Sequence, residues 1–199
     1  MNENDLTPPG YWGASAENIH VVQKFLTNSE MTSAITYAHS IKEWIHLTDN
    51  WNERVHNFSL IEKCGAETSE FFKSLTDRAK TSIQETMKVQ LNEVSPSIVR
   101  WRVGDGQEPH ADKQELDGTP NPYPENDIAS LVYLNDDYEG GEIYFPNQNL
   151  QFKPNAGSLV FFPGDIYYLH GVTKVTEGTR YTMPNFWKVT NLTTEYFID

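Results

Sequence analysis

His110-Ala111-Asp112, with His170 lying 58 residues beyond Asp112 and Arg180 ten residues after that, is the part of this 199-residue chain best equipped for chemistry. A His-x-Asp pair with a distant His offers two neutral imidazoles and one carboxylate. Such a set can take one triangular face of an octahedral ion and leave the opposite face open, the arrangement of non-haem Fe(II) oxygen chemistry. One negative ligand on a divalent ion leaves the site net positive, which favours an anionic keto acid. An Arg downstream supplies a planar guanidinium that can grip a carboxylate through two parallel hydrogen bonds. Alone, His-x-Asp is a weak signal, and an Arg in a strand could equally pair with a surface carboxylate. The question is which elements bring these residues together.

Residues i and i+2 of an extended strand face the same side. Val99, Trp101 and Val103 alternate with Arg100 and Arg102, a half-buried strand. His110 and Asp112 follow it and are expected to project together. An apolar strand over 166–169 is expected to deliver His170. Gly178 reads as a turn, with the chain going out along one strand and returning along the next, which would bring Arg180 back near His170. Further strands are expected over 128–134, 142–145, 150–153, 158–162 and 179–189. Gly140-Gly141, Asn155-Ala156-Gly157 and Pro163-Gly164 punctuate them. The proline-containing stretch 113–127 reads as a loop.

The first half has a different period. Met31, Ala34, Ile35, Ala38, Ile41 and Ile45 form one helical stripe, with Ser29 as a candidate N-cap. Phe72, Leu75, Ala79, Ile83 and Met87 form a second, with Thr68 and Ser69 as cap candidates. Between them, 51–66 shows no clear period and reads as a long loop of the kind that often carries function. Helices first and many short strands after predict a β-barrel or jelly roll with helices packed outside. The change near residue 94 is read as a change of layer within one domain, 1–93 being helical support.

The formal net charge of −13 argues against nucleic-acid binding, because such a surface repels phosphates. The 25 aromatic residues (10 Tyr, 10 Phe, 5 Trp) argue for a packed core. Cys64 is the only cysteine, so no intrachain disulfide forms and no cysteine-rich zinc site exists. The acidic, polar start over 1–5 is unlike a signal peptide, and no apolar run approaches the ~20 residues of a membrane span. A cytoplasmic protein without membrane association is expected. His20, His39, His46 and His56 fall in the helical half and read as surface or satisfied core residues. No residue pattern sets an oligomeric state.

The strand half resembles the prolyl 4-hydroxylase-like group of Fe(II)- and 2-oxoglutarate-dependent dioxygenases over roughly residues 97 to 188. The matching pieces are Arg100-Trp101 with Gly104, His110-Ala111-Asp112, Leu131-Val132-Tyr133-Leu134-Asn135-Asp136 and Gly140-Gly141-Glu142. Phe145-Pro146, Lys153-Pro154 with Gly157, Phe161-Phe162-Pro163, His170-Gly171-Val172 and Gly178-Thr179-Arg180-Tyr181 follow in the same order. The resemblance implies an α+β, mainly β fold: a double-stranded β-helix (a cupin-like jelly roll) over 94–190 with packed N-terminal helices. It implies His110, Asp112 and His170 as iron ligands. It implies Arg180 as the cation for the distal carboxylate of 2-oxoglutarate, with Tyr133 donating a hydroxyl. It implies Fe(II), with 2-oxoglutarate and O2 as co-substrates, and brings in ascorbate as a further cofactor candidate. Trp101 stands where relatives carry a Tyr that contacts the co-substrate. An indole there offers one N–H and more bulk, so either co-substrate binding is rearranged around Trp101, or Trp101 faces the peptide, or it belongs to the core. For Tyr133 the competing reading is a buried core tyrosine with a satisfied hydroxyl.

The function expected is hydroxylation of a C–H bond, with a prolyl residue in a peptide or protein as the substrate implied by resemblance. The alternatives are a hydroxylase of a free amino acid or small molecule, and a catalytically silent metal-binding interaction module.

Overall fold

The computed structural model describes residues 6–49 and 51–191; the acidic stretch 1–5 lies outside them. In chain order the elements are β1 (His20–Val22), α1 (Asn28–Ser40), β2 (Val55–His56), α2 (Phe58–Lys63) and α3 (Ala66–Met87). Then come β3 (Ile98–Arg102), β4 (Gln107–His110), β5 (Ile128–Tyr133), β6 (Glu139–Gly140), β7 (Ile143–Phe145) and β8 (Leu150–Phe152). β9 (Leu159–Pro163), β10 (His170–Val172), β11 (Val175–Glu177) and β12 (Thr179–Trp187) complete the strands.

The strands form a large antiparallel sheet ordered β1-β9-β5-β12-β3-β2 and a smaller one ordered β4-β10-β7-β8, with β11 paired to β6. The period-two alternation of the large sheet decides what each face does. On β5, Ile128 and Val132 join the core shared with the helices, where Phe72, Leu75, Ala79 and Ile83 of α3 are fully buried. Ala129 and Tyr133 point the other way and pack with Ile143 and Phe145 of the small sheet. Two sheets face each other, helices cover the outer face of the larger one, and the site lies between the sheets.

The two helical stripes form α1 and α3, but both caps differ from expectation. Thr27 caps α1, its side chain accepting from Glu30 N while the Glu30 side chain accepts from Thr27 N. Ser29 sits inside the first turn. Gly65 precedes α3 with no side-chain cap, so Thr68 and Ser69 are helical rather than capping. The α1 stripe stops at Ile41. Ile45 instead donates its N–H to Val55 O at 2.8 Å and accepts from Glu53 N at 2.9 Å, so it belongs to extended chain. The supposed loop at 51–66 contains β2, α2 and the start of α3. α2 is under two turns, too short to display a helical period.

Three strand expectations also change. β3 ends at Arg102, and Val103 is 61% exposed beside a turn at Gly104 (φ 91°). β4 is therefore a separate strand. The 166–169 segment is a 3-10 turn (Ile166–Tyr168) rather than a strand, because the Asp165 side chain accepts from Tyr167 N and starts the turn. The turn at Gly178 makes no hairpin: β11 pairs with β6, whereas β12 pairs with β3 and β5.

Candidate metal and co-substrate site

His110 closes β4 and His170 opens β10, and the two are cross-strand partners. Asp112 lies just past the end of β4. The three side chains offer ligand atoms all within 4.8 Å of one another. His110 Nε2 is 3.7 Å from Asp112 Oδ1, and His170 Nε2 is 3.6 Å from Asp112 Oδ2. Each imidazole sits 3.1 Å from a main-chain carbonyl through Nδ1, Glu108 O for His110 and Tyr168 O for His170. A carbonyl only accepts, so Nδ1 carries the proton in both rings and both Nε2 lone pairs face inward, the tautomer a metal ligand needs.

Burial lowers the pKa of both rings, His170 to about 4, so both are neutral at neutral pH. The nearby His170 lowers that of His110 further. Burial raises the Asp112 carboxyl to about 6, and its Oδ2 has no hydrogen-bond partner among the described residues. A buried carboxylate oxygen without a donor is costly unless a cation faces it. Two neutral imidazoles and this carboxylate fit a divalent ion.

The backbone under Asp112 is fixed. Asp112 N and Lys113 N both donate to Gly164 O, at 2.9 and 3.2 Å, and Asn121 and Asn126 donate their side-chain amides to Asp112 O at 3.0 and 3.3 Å. A Cβ on Gly164 would stand 2.2 Å from Asn126 O, so only glycine permits this approach. Lys113, itself buried, donates to Asp127 Oδ1 at 2.6 Å and to Thr7 O and Oγ1 at 2.8 Å. Phe162 packs edge-on against His170, ring centres 4.6 Å apart.

Arg180, Tyr133 and Trp101 form a second group on the inner face of the large sheet. Arg180 and Trp101 are cross-strand partners on β12 and β3. Arg180 is fully buried, and its Nη2 donates to Tyr133 Oη at 2.9 Å. Its guanidinium lies 4.9 Å from the Tyr133 ring and 5.0 Å from the Trp101 ring. Arg180 Nε and Nη1 are buried with no hydrogen-bond partner among the described residues, as are Trp101 Nε1 and Tyr138 Oη. Buried donors left this way mark a place for an acceptor that the protein does not supply. Tyr138 is raised to about 12, chiefly by burial. Gly141 (φ 66°) lets the backbone pass close to this group, since a Cβ there would lie 3.1 Å from Tyr138 and 3.2 Å from Arg180 Cδ.

A cavity of ≈ 530 Å³ opens onto the triad. Trp101, Thr182, Val172 and Ile143 line it with the His110, Asp112 and His170 side chains, as do Trp51, Tyr123 and Phe186. Trp101 is 3% exposed and lines the cavity, with Arg180 packed against it, so the indole faces both the cavity and the cation.

Residues 96–188 match the family described as the 2OG-Fe(II) oxygenase superfamily. The strand half is thus similar to the 2OG-Fe(II) oxygenase superfamily. Human prolyl 3-hydroxylase 3 is 36% identical over 83 residues, covering 36% of this chain and 11% of that protein. A putative prolyl 4-hydroxylase of Acanthamoeba polyphaga mimivirus is 40% identical over 68 residues, covering 30% of this chain and 28% of its own. The chain thus spans only a small part of the curated relatives it matches. The viral collagen prolyl hydroxylase of Paramecium Bursaria Chlorella virus-1 superposes with a TM-score of 0.65 at 17% identity, covering 88% of this chain and 98% of that one. These neighbours share the double-stranded β-helix. The family implies Fe(II), 2-oxoglutarate and dioxygen, and the triad fits iron.

Sequence reading named the triad and the Arg180 group but missed Arg54, Tyr138 and the two asparagines on Asp112 O. Tyr138 stands two residues before Gly140-Gly141, a turn signal that could have marked it; Arg54 carried no pattern. The remaining histidines stay outside the site. His56 is buried between Tyr37 Oη and Glu43 O, at 2.9 and 2.8 Å, while His39 and His46 are exposed. Cys64 is free and exposed.

Proposed function

We propose that the protein is an Fe(II)- and 2-oxoglutarate-dependent dioxygenase that hydroxylates a C–H bond of a prolyl residue in a peptide or protein. The observation that carries this reading is the pairing of a His110–Asp112–His170 triad with a fully buried Arg180 whose Nε and Nη1 have no hydrogen-bond partner among the described residues. Iron with 2-oxoglutarate and dioxygen would supply oxidative decarboxylation coupled to C–H oxidation. The chain's own part is to bind, orient and shield. Both Nε2 atoms and one Asp112 oxygen hold the metal. Arg180 grips the distal carboxylate of 2-oxoglutarate, with Tyr133 fixing one arm of the guanidinium. Trp101 forms the chamber wall where relatives carry Tyr. The apolar lining keeps water from the reacting carbon.

The peptide reading draws on the mouth. Tyr123 is 62% and Phe186 42% exposed, and an open rim of this kind admits a segment of a longer chain. Among relatives, both prolyl 3- and prolyl 4-hydroxylases occur, so either ring position is a candidate product. The acidic surface disfavours nucleic acid as partner. No helix of the described residues is long and apolar enough to cross a membrane, and a cytoplasmic setting with ascorbate as an accessory reductant completes the reading. The deciding experiment is turnover of 2-oxoglutarate to succinate with proline-containing peptides, with mass spectrometry of the peptide. Succinate formation coupled to a 16 Da gain on proline supports the proposal. Coupled oxidation of a free amino acid, with peptides inert, transfers it to the small-molecule alternative. No turnover by iron-loaded protein with either class supports the silent module.

A further inference from the structure

Trp101 is held by a second buried guanidinium besides that of Arg180. The Arg54 guanidinium lies 3.9 Å from the Trp101 ring centre and 4.3 Å from that of Trp51. The two indoles also meet edge to face, 5.5 Å apart. Arg180 then touches Trp101 and Tyr133. Trp51, Arg54, Trp101, Arg180 and Tyr133 therefore form one continuous series, from Trp51 lining the cavity to Arg180, whose Nε and Nη1 have no hydrogen-bond partner among the described residues, and Tyr133.

Its middle is dry: Arg54 is 1% and Trp101 3% exposed. Guanidinium–indole attraction is strongest when both groups are desolvated. The backbone of Arg54 is fixed as well, with Arg100 N donating to Arg54 O at 2.9 Å and Arg54 N donating to Trp51 O at 3.1 Å. Asp105 Oδ2 lies 3.9 Å from Arg54 Nε. Asp105 and Asp49 both act on Arg54, while two buried guanidinium groups, Arg54 and Arg180, share a single indole. Two like charges in a low-dielectric interior favour the arrival of an anion beside either of them.

We propose that Arg54 is a positioning residue for the co-substrate anchor: it holds Trp101 against Arg180 and adds positive potential there, so that the cavity wall at Trp51 and the carboxylate site at Arg180 act as one unit. This rests on the reading of Arg180 as the 2-oxoglutarate anchor. A purely structural Arg54 would lower stability without a selective effect on 2-oxoglutarate.

The test uses the full chain loaded with Mn(II), which avoids turnover, and titrates 2-oxoglutarate by calorimetry. Arg54→Met is expected to raise the 2-oxoglutarate Kd about tenfold and Arg54→Lys, which keeps charge but not the planar stack, about threefold. Trp51→Ala is expected to raise it about threefold, with Trp51→Phe near wild type. Mn(II) affinity should stay within about twofold of wild type in all of them. A folded Arg54→Met variant with unchanged 2-oxoglutarate Kd overturns the proposal, as does an equal loss of Mn(II) and 2-oxoglutarate binding. Should Arg54→Met not fold, unchanged Kd values in both Arg54→Lys and Trp51→Ala overturn it. Wild-type protein that fails to bind 2-oxoglutarate removes the anchor reading itself. Wild-type binding that is lost in Arg180→Ala but untouched in the Arg54 variants removes only the role of Arg54.

Discussion

His110 and His170 are direct partners across the β4–β10 pair, and each ring donates its Nδ1–H to the carbonyl two residues upstream. The same local bond on both strands fixes both tautomers and turns both Nε2 atoms toward Asp112. Such outer bonds alone change metal affinity by about 10–100-fold. Removing a ligand should cost at least as much, so His110→Ala and Asp112→Ala should each lower Fe(II) affinity by at least about a hundredfold. Metal analysis after anaerobic reconstitution checks this. Full occupancy and activity in both variants would remove the assignment.

Arg180 is fully buried and shares one arm with Tyr133. Truncating one partner of a buried charge pair costs about 3–5 kcal/mol, and each 1.4 kcal/mol is about tenfold. Arg180→Ala should therefore raise the apparent 2-oxoglutarate constant by at least about a hundredfold. Arg180→Lys should retain part of the binding. Tyr133→Phe removes an acceptor from a charged donor, worth about 1.5–3 kcal/mol, so an effect of about tenfold or more is expected. Steady-state kinetics in 2-oxoglutarate with direct binding separates the three variants, and an unchanged constant in folded Arg180→Ala refutes the anchor.

The ligands were legible in the sequence because metal chemistry restricts both residue type and spacing, and the ordered motifs around them reinforced the reading. The helical stripes were legible because burial against one sheet face imposes a period. Arg180 was placed near His170 for the wrong reason: Gly178 joins strands of different pairings, and Arg180 meets Trp101 through long-range register. Arg54 was illegible for the same kind of reason. Its meaning lies in two indoles, one of them 47 positions away, and no local pattern encodes that contact. α2 and the 3-10 turn before His170 were missed because two short turns of chain fit an apolar loop or strand equally well.

Both loops singled out in the sequence contribute to the cavity, Trp51 and Val55 from one, Asn121, Tyr123 and Asn126 from the other. A peptide laid across the mouth should slow amide exchange in 51–57 and 113–127 once Mn(II) and N-oxalylglycine, an inert 2-oxoglutarate analogue, are present. Hydrogen exchange with mass spectrometry reads this directly. Protection confined to the inner strands would instead favour a small substrate held within the barrel.

The last prediction concerns stability and pH. Glu30 caps α1 through Thr27 and meets Arg78 of α3, with Arg78 Nη1 donating to Oε1 at 2.8 Å and Nη2 to Oε2 at 3.1 Å. The hydrogen-bonded Arg78 guanidinium, then Thr27, hold the Glu30 carboxyl down at about 2, against 4.5 for an ordinary glutamate. A folded-state value below the unfolded one means that protons bind more tightly to the unfolded chain. The contribution is thus fully present above about pH 5. It shrinks as pH falls from 4.5 toward 2 and is gone below that. Glutamine also serves at the third helical position of a capping box, so Glu30→Gln keeps the cap and removes the charge. Both partners are partly exposed, which limits the pair to about 0.5–1 kcal/mol. Urea unfolding should show Glu30→Gln less stable than wild type by that amount at pH 7, with the gap closing as pH approaches 2. A gap that is constant with pH, or that widens in acid, would assign the effect to packing rather than to the ion pair.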